Sequence, residues 1–217
     1  MKTLKEDWLI WIILIVPFVF TAIVWNRLPE EIATHFDMSG TPNDYSGKAF
    51  GTLFAPLLNV GLYFLFIALP KIDPRKKNYR LFGDKYKVIR LVLHAFLTFA
   101  FFVEIFYALG YQFNLGLLIM YGVLLLFLVL GNYMGNMRPN FFIGIRSPWT
   151  LSSEQVWMKT HRLTGKLWVF STLLLMVLLP FIPFPDVAFG IYIAVITLIP
   201  YGYSYLEYKK EEQQKPS

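Results

Sequence analysis

The sequence contains no cysteine. That absence excludes a disulfide framework, thiolate nucleophiles and Cys-ligated metals. Histidine is scarce, limited to His35, His94 and His161, with no close pair such as H-x-x-x-H or H-E-x-x-H to seed a metal site. Neither a G-x-S-x-G turn nor a phosphate-binding glycine loop is present. Charge is thin as well: only 16% of residues are Asp, Glu, Lys or Arg, where a soluble domain carries about a quarter. The net charge of +6 is therefore read as basic excess in loops beside a membrane, and not as a nucleic-acid footprint. No catalysis, no metal, no cofactor and no direct nucleic-acid contact are expected.

What is present is apolar. Hydrophobic residues make up 56% of the 217 and aromatics 18%, and the long apolar runs read as membrane spans. Six are predicted: Trp8–Trp25, Ala49–Leu69, Val88–Leu109, Leu115–Met134, Leu167–Ile182 and Val187–Leu206. The first follows Lys2 and Lys5, as in a signal peptide. It ends at Trp25 and Asn26 without a small-x-small cleavage site, so it is read as an uncleaved span. The predicted fold class is all-α, a six-helix transmembrane bundle forming one polytopic domain over residues 1–217. A compact external loop at 26–48 follows helix 1, cytoplasmic loops lie at 70–87 and 135–166, an amphipathic cytoplasmic helix precedes helix 5, and residues 207–217 form a cytoplasmic tail. All of the 20 lysines and arginines except Arg27 and Lys48 fall on one side of this arrangement. The positive-inside rule then places both termini in the cytoplasm of a multi-pass cell-membrane protein.

The external loop is acidic through Glu30, Glu31, Asp37 and Asp44, and Ser39-Gly40, Thr41-Pro42 and Asn43-Asp44 signal tight turns. It is either a docking surface for an outside partner or a solvated connector tying down the tops of helices 1 and 2. The cationic segment from Lys71 to Arg90 either attracts anionic inner-leaflet lipid or docks a cytoplasmic protein. Within the spans, Glu104 is the one carboxylate well inside, a functional candidate by default, expected to reach the interface or bond to Tyr107. His94 is expected as an interfacial histidine, and Asn59 and Asn132 as interhelical hydrogen-bond partners. Gly131 and Gly135 form a small-x-x-x-small pair suited to close helix contact.

The stretch from Asn140 to Lys166 reads N-F-F-I-G-I-R-S-P-W-T-L-S-S-E-Q-V-W-M-K-T-H-R-L-T-G-K. Pro148 biases Ser147 to an extended conformation. Ser152 is expected to cap a helix, with Gln155 completing a capping box. Val156, Trp157, Thr160, His161 and Thr164 then share one face, and Lys159, Arg162 and Lys166 another. Trp149, Trp157 and four cations suit the water–lipid boundary. Ser152 and Ser153 beside Glu154, with His161 nearby, look superficially like hydrolase parts, but a helix cap explains the serines better.

Three stretches carry a resemblance. L-P-E-E-I-A-T-H-F-D-M-S-G-T-P-N-D-Y-S-G-K, from Leu28 to Lys48, is similar to the N-terminal region of the SdpI family. P-K-I-D-P-R-K-K-N-Y, from Pro70 to Tyr79, resembles the segment after that family's second span, and Asn140–Lys166 resembles its long hallmark. The resemblance implies a non-enzymatic immunity protein in a Gram-positive cytoplasmic membrane. It would protect the cell against a secreted peptide toxin that damages the membrane and collapses the proton gradient. It also implies signalling, in which an ArsR-type repressor is held at the membrane once toxin is engaged.

On the topology above, His35, Phe36, Asp37, Gly40, Pro42 and Tyr45 would face toxin. Arg146, Pro148, Trp149, Ser152, Glu154, Trp157, His161 and Arg162 would form a cytoplasmic signalling motif. The competing role for that motif is a scaffold fixing the angle between spans four and five. The alternative function is a small proton-coupled transporter or flippase-like protein. Its six spans would be three plus three in inverted orientation, with Pro180 and Pro183 near the outer end of span five, Pro200 in span six and Glu104 as the coupled group.

Overall fold

The computed structural model describes residues 7–37 and 40–214. Lys2, Lys5, Ser39 and Lys215, used above for orientation and for one turn, lie outside the described residues. Among the described residues, six helices are long and apolar enough to cross a membrane. Their cores are α1 (Trp8–Val24), α2 (Lys48–Ile72), α3 (Gly83–Ala108), α4 (Leu115–Met134), α6 (Glu154–Leu178) and α7 (Pro185–Gln213), with a short α5 (Pro148–Ser152) before α6. The all-α expectation is corrected at one place: the loop after α1 holds an antiparallel hairpin, β1 (Glu31–Phe36) and β2 (Pro42–Gly47). The chain divides into two compact units, Met1–Phe66 with Arg90–Leu126 and Ile67–Ile89 with Phe127–Ser217.

In the first unit the hairpin is anchored by one apolar side chain. Ile32 is fully buried and joins Val24, Leu28, Phe101 and Ile105 in a single cluster. Gly51 makes this approach possible, since a Cβ there would lie 2.6 Å from the Ile32 Cβ. Phe36 meets Tyr107 edge-on, with ring centroids 5.4 Å apart. The turn is built by Asp37, whose Oδ1 accepts from the Thr41 amide at 2.8 Å. Gly40 follows with φ +85°, close enough to α4 that a Cβ would lie 2.6 Å from the Gly116 nitrogen. Thr41-Pro42 and Asn43-Asp44, expected as turns, fall at the start of β2 and inside it. Pro42 pairs with Phe36 at the strand end, and register shifts follow Ala33 and His35. A proline at the first residue of a strand is tolerated, so the turn signals there were misleading.

The membrane part of this unit has a polar interior. Arg90 Nη2 donates to Asp7 Oδ2 at 2.7 Å, and the Tyr63 hydroxyl donates to the same oxygen at 3.2 Å. About one turn further along α3, His94 Nδ1 lies 2.7 Å from Asn59 Oδ1, and Asn59 Nδ2 donates to Thr98 Oγ1 and to the His94 carbonyl. Asn59 is thus the interhelical partner expected of it, whereas Asn132 is exposed on α4. α3 starts earlier than the predicted span, and the His94 ring is fully buried about three turns in.

In the second unit α4 and α6 approach through glycines. A Cβ on Gly165 would lie 2.9 Å from the Gly131 carbonyl, and one on Gly131 would lie 2.8 Å from Trp168 Cβ. The expected role of Gly131 therefore holds, with Gly165 as the facing small residue. Helices α6 and α7 are joined by the Trp168 indole donating to the Ile196 carbonyl at 3.0 Å and by the Thr172–Tyr192 hydroxyl pair at 2.6 Å.

Candidate functional site

Residues 135–153 fold into a fixed irregular element on the ends of α6 and α7. Asn140, fully buried, organises its first half. Its Oδ1 accepts from the amides of Phe142 (3.0 Å) and Ile143 (2.7 Å), while its Nδ2 donates to the carbonyls of Arg138 and Ile143, both at 3.0 Å. Two donors and two acceptors are all used, a pattern only a carboxamide supplies. Gly144 follows with φ +108°, and a Cβ there would collide with His161 Nε2. The same nitrogen accepts from the Ile145 amide at 3.1 Å, while His161 Nδ1 donates to the Trp157 carbonyl at 2.8 Å. Those two bonds define a neutral ring protonated on Nδ1. The ring stacks on Trp157 at 4.0 Å, and the Trp157 indole donates to the Met137 carbonyl at 2.9 Å.

The cap expectation is corrected by one residue. Ser153, not Ser152, caps α6 by accepting from the Val156 amide, and its hydroxyl also donates to Glu211. Ser152 ends α5, its hydroxyl bonded back to the Pro148 carbonyl. The capping box belongs to α5: Ser147 is extended, as Pro148 requires, and exchanges bonds with Thr150. Ser147 also meets Ser204 of α7 at 2.8 Å. The amphipathic segment is not a separate helix, because α6 runs unbroken from Glu154 into the fifth span. Its predicted faces are correct: Val156, Trp157, Thr160, His161 and Thr164 are buried, and Lys159, Arg162 and Lys166 are exposed. Trp157 is a core residue, not a lipid-boundary anchor. Trp149 packs on Tyr201 and Tyr205 of α7, with centroids 5.2 and 5.0 Å away.

The segment after α2 folds onto this element through Asp73, which sequence reasoning passed over. Asp73 is 1% exposed. Its Oδ1 accepts from the Arg75 amide at 2.6 Å, and its Oδ2 accepts from the Tyr79 hydroxyl at 3.1 Å and the Phe141 amide at 2.9 Å. Burial, and then the Asp73 carboxylate, raise the Tyr79 phenol above its ordinary value. Arg75 donates to the Leu151 carbonyl and covers the Phe141 ring, and Asn78 donates to the Pro139 carbonyl. This part of the cationic segment is therefore a structural strap. The signal for Asp73 was a lone carboxylate in D-P-R-K-K, hidden by the cations around it.

The predicted signalling residues divide in two. Trp157 and His161 are buried, and Trp149 is half-buried, while Arg146, Pro148, Ser152, Glu154 and Arg162 are exposed. Both nitrogens of His161 are engaged by backbone, so the ring is not offered as a base to either serine. The hairpin residues divide similarly. Phe36 and Gly40 anchor, Pro42 is half-buried, and His35, Asp37 and Tyr45 are exposed, with His35 Nδ1 2.6 Å from Asn43 Oδ1. Glu104 is half-buried and forms no hydrogen bond or ion pair among the described residues, so the expected bond to Tyr107 is not formed; the Tyr107 ring meets Phe36 instead. No group of three or more His, Cys, Asp or Glu able to hold a metal occurs among the described residues.

Six apolar helices define a multi-pass membrane protein. Residues 136–205 match the SdpI/YfhL protein family, so the segment carrying the folded element and α6–α7 is similar to that family. Residues 12–60 match a domain of unknown function, DUF1648. Across 175 residues the chain is 27% identical to Immunity protein SdpI of Bacillus subtilis (strain 168), covering 81% of this chain and 82% of that protein. The resemblance to the SdpI family read from the sequence is thereby borne out. No solved structure matches the chain.

Proposed function

We propose that this chain is an integral membrane immunity protein that protects the cell against a secreted membrane-damaging peptide toxin. The observation that carries the reading is the 27% identity to an immunity protein over 81% of the chain. An even number of spans puts both termini on one side, and the cation distribution makes that side the cytoplasm. The hairpin is then external and offers His35, Asp37 and Tyr45 to the toxin. The element at 135–153 is cytoplasmic and offers Arg146, Ser152, Glu154 and Arg162 to an ArsR-type repressor, which is sequestered at the membrane when toxin is engaged. Such signalling requires the toxin to bind one conformational state better than another. The test is growth of a toxin-sensitive Gram-positive strain expressing the chain during exposure to an Sdp-type peptide. Growth equal to that of the empty-vector control, with the protein verified in the membrane, contradicts immunity to that peptide.

Glu104 favours a second reading. A half-buried carboxylate within α3 that has no bonding partner among the described residues suits a proton-coupled transporter. Substrate-driven proton uptake in proteoliposomes that Glu104→Gln abolishes would select that reading, while toxin protection surviving Glu104→Gln selects immunity.

A further inference from the structure

We propose that a cavity at the end of α4 binds the phosphodiester headgroup of an anionic phospholipid. The cavity has a volume of about 240 Å³ and is lined by Leu81, Lys85, Gly135, Asn136, Arg138, Met158 and Arg162. Three of these side chains are cations and none is an acid. Among the described residues none of the three forms an ion pair, and the one contact of Arg138 is with Met158 Sδ at 4.0 Å. Neighbouring cations of the same unit behave differently: Lys159 and Lys210 both sit 2.8 Å from Glu207.

Cations gather readily near a helix C-terminus, but none of these three donates to a carbonyl at the end of α4. Three like charges around an open polar space repel one another until an anion enters. A phosphate group answers both demands, because its oxygens accept paired bonds from planar guanidinium groups such as Arg138 and Arg162, with Lys85 as a point charge. The surroundings select a lipid as the carrier. Leu81 lies at the cavity and is 67% exposed, an apolar side chain suited to an acyl chain. The cavity is also framed by the ends of membrane helices, where basic pockets take anionic headgroups.

The test compares three forms of the full chain: wild type, Lys85→Gln/Arg138→Gln/Arg162→Gln, and Lys76→Gln/Lys77→Gln/Arg80→Gln. The last removes three exposed cations outside the cavity. Each is purified in neutral detergent, checked by its melting temperature, and titrated with phosphatidylglycerol or phosphatidylcholine. Bound lipid is counted by native mass spectrometry. The wild type and the outside triple should prefer phosphatidylglycerol, and the cavity triple should lose that preference by about tenfold or more. Equal loss in both triples would reduce the effect to general attraction by a basic surface and overturn the proposal. Displacement of the lipid by millimolar inorganic phosphate would make this a free-phosphate site and overturn the lipid assignment. If the cavity triple does not fold, Arg138→Gln and Arg162→Gln singly are read by the same criteria.

Discussion

Arg90 reaches Asp7 at 2.7 Å, with both side chains only 10% exposed. The pair ties the start of α1 to α3 inside a membrane protein, and the Arg90 guanidinium also lies over the Tyr63 ring. Removing one partner leaves a buried charge, so Asp7→Ala should destabilise by about 3–5 kcal/mol. Asp7→Leu/Arg90→Met removes both charges and should cost less than Asp7→Ala alone. Thermal unfolding in detergent measures both, and equal stability of Asp7→Ala and wild type would contradict the pairing.

Asn140→Asp is nearly isosteric yet should be severe. It removes two donors to the Arg138 and Ile143 carbonyls and buries a carboxylate. The expected loss is about 2–4 kcal/mol, together with faster proteolysis in the 135–153 segment. Limited proteolysis at unchanged rate would show that Asn140 does not hold the loop.

Gly144→Ala should fail for two independent reasons: φ is +108°, and the new Cβ meets His161. Left-handed strain alone costs about 1–3 kcal/mol in a residue other than glycine. The indole fluorescence of Trp157 should shift as the stacked His161 moves. A variant with wild-type melting and emission would contradict the packing.

Tyr79 gives an alkaline signature. Its raised pKa means that the folded state favours the protonated phenol, so its contribution is complete below the ordinary value of 10.0. It is lost as pH rises from there toward the higher folded value. Wild type should therefore lose more stability above about pH 10 than Tyr79→Phe does. Parallel pH–stability curves for the two would rule out a protonated Tyr79 donating to Asp73.

The hairpin separates structure from recognition. Tyr45 is 54% exposed and Ile32 is fully buried. Tyr45→Ala should leave the melting temperature within about a degree or two, since surface changes usually stay within about 0.5 kcal/mol, yet reduce toxin protection. Ile32→Ala should lower stability by about 2–4 kcal/mol. Full protection in Tyr45→Ala would remove that residue from the toxin-facing surface.

The spans were legible because twenty apolar residues can do little else, and the faces of α6 because Val156, Trp157, Thr160 and His161 keep helical spacing. The hairpin was not. Its strands contain Thr34, His35, Asn43 and Asp44, with little alternation, and they pair because Ile32 docks against Gly51 rather than through intrinsic strand propensity. Asp73 is not legible as an organising residue because the Phe141 amide it binds is distant in sequence, and Asn140 is not because it ties an irregular loop through its own neighbours, Arg138, Phe142 and Ile143, with no periodic pattern to mark it. Ser152 and Ser153 were confused because adjacent serines offer equivalent caps locally, and the contact of Ser153 with Glu211 distinguishes them. Asp7 and Arg90 were hidden by placement, since each stood at a predicted span edge where charges are ordinary.

The most direct measurement of the account is membrane potential. A sensitive Gram-positive strain expressing the chain is loaded with a potential-sensitive dye, and an Sdp-type peptide is added. The account predicts that the potential holds in expressing cells while it collapses in controls. Collapse to the same extent in both, with the protein present in the membrane, would contradict it.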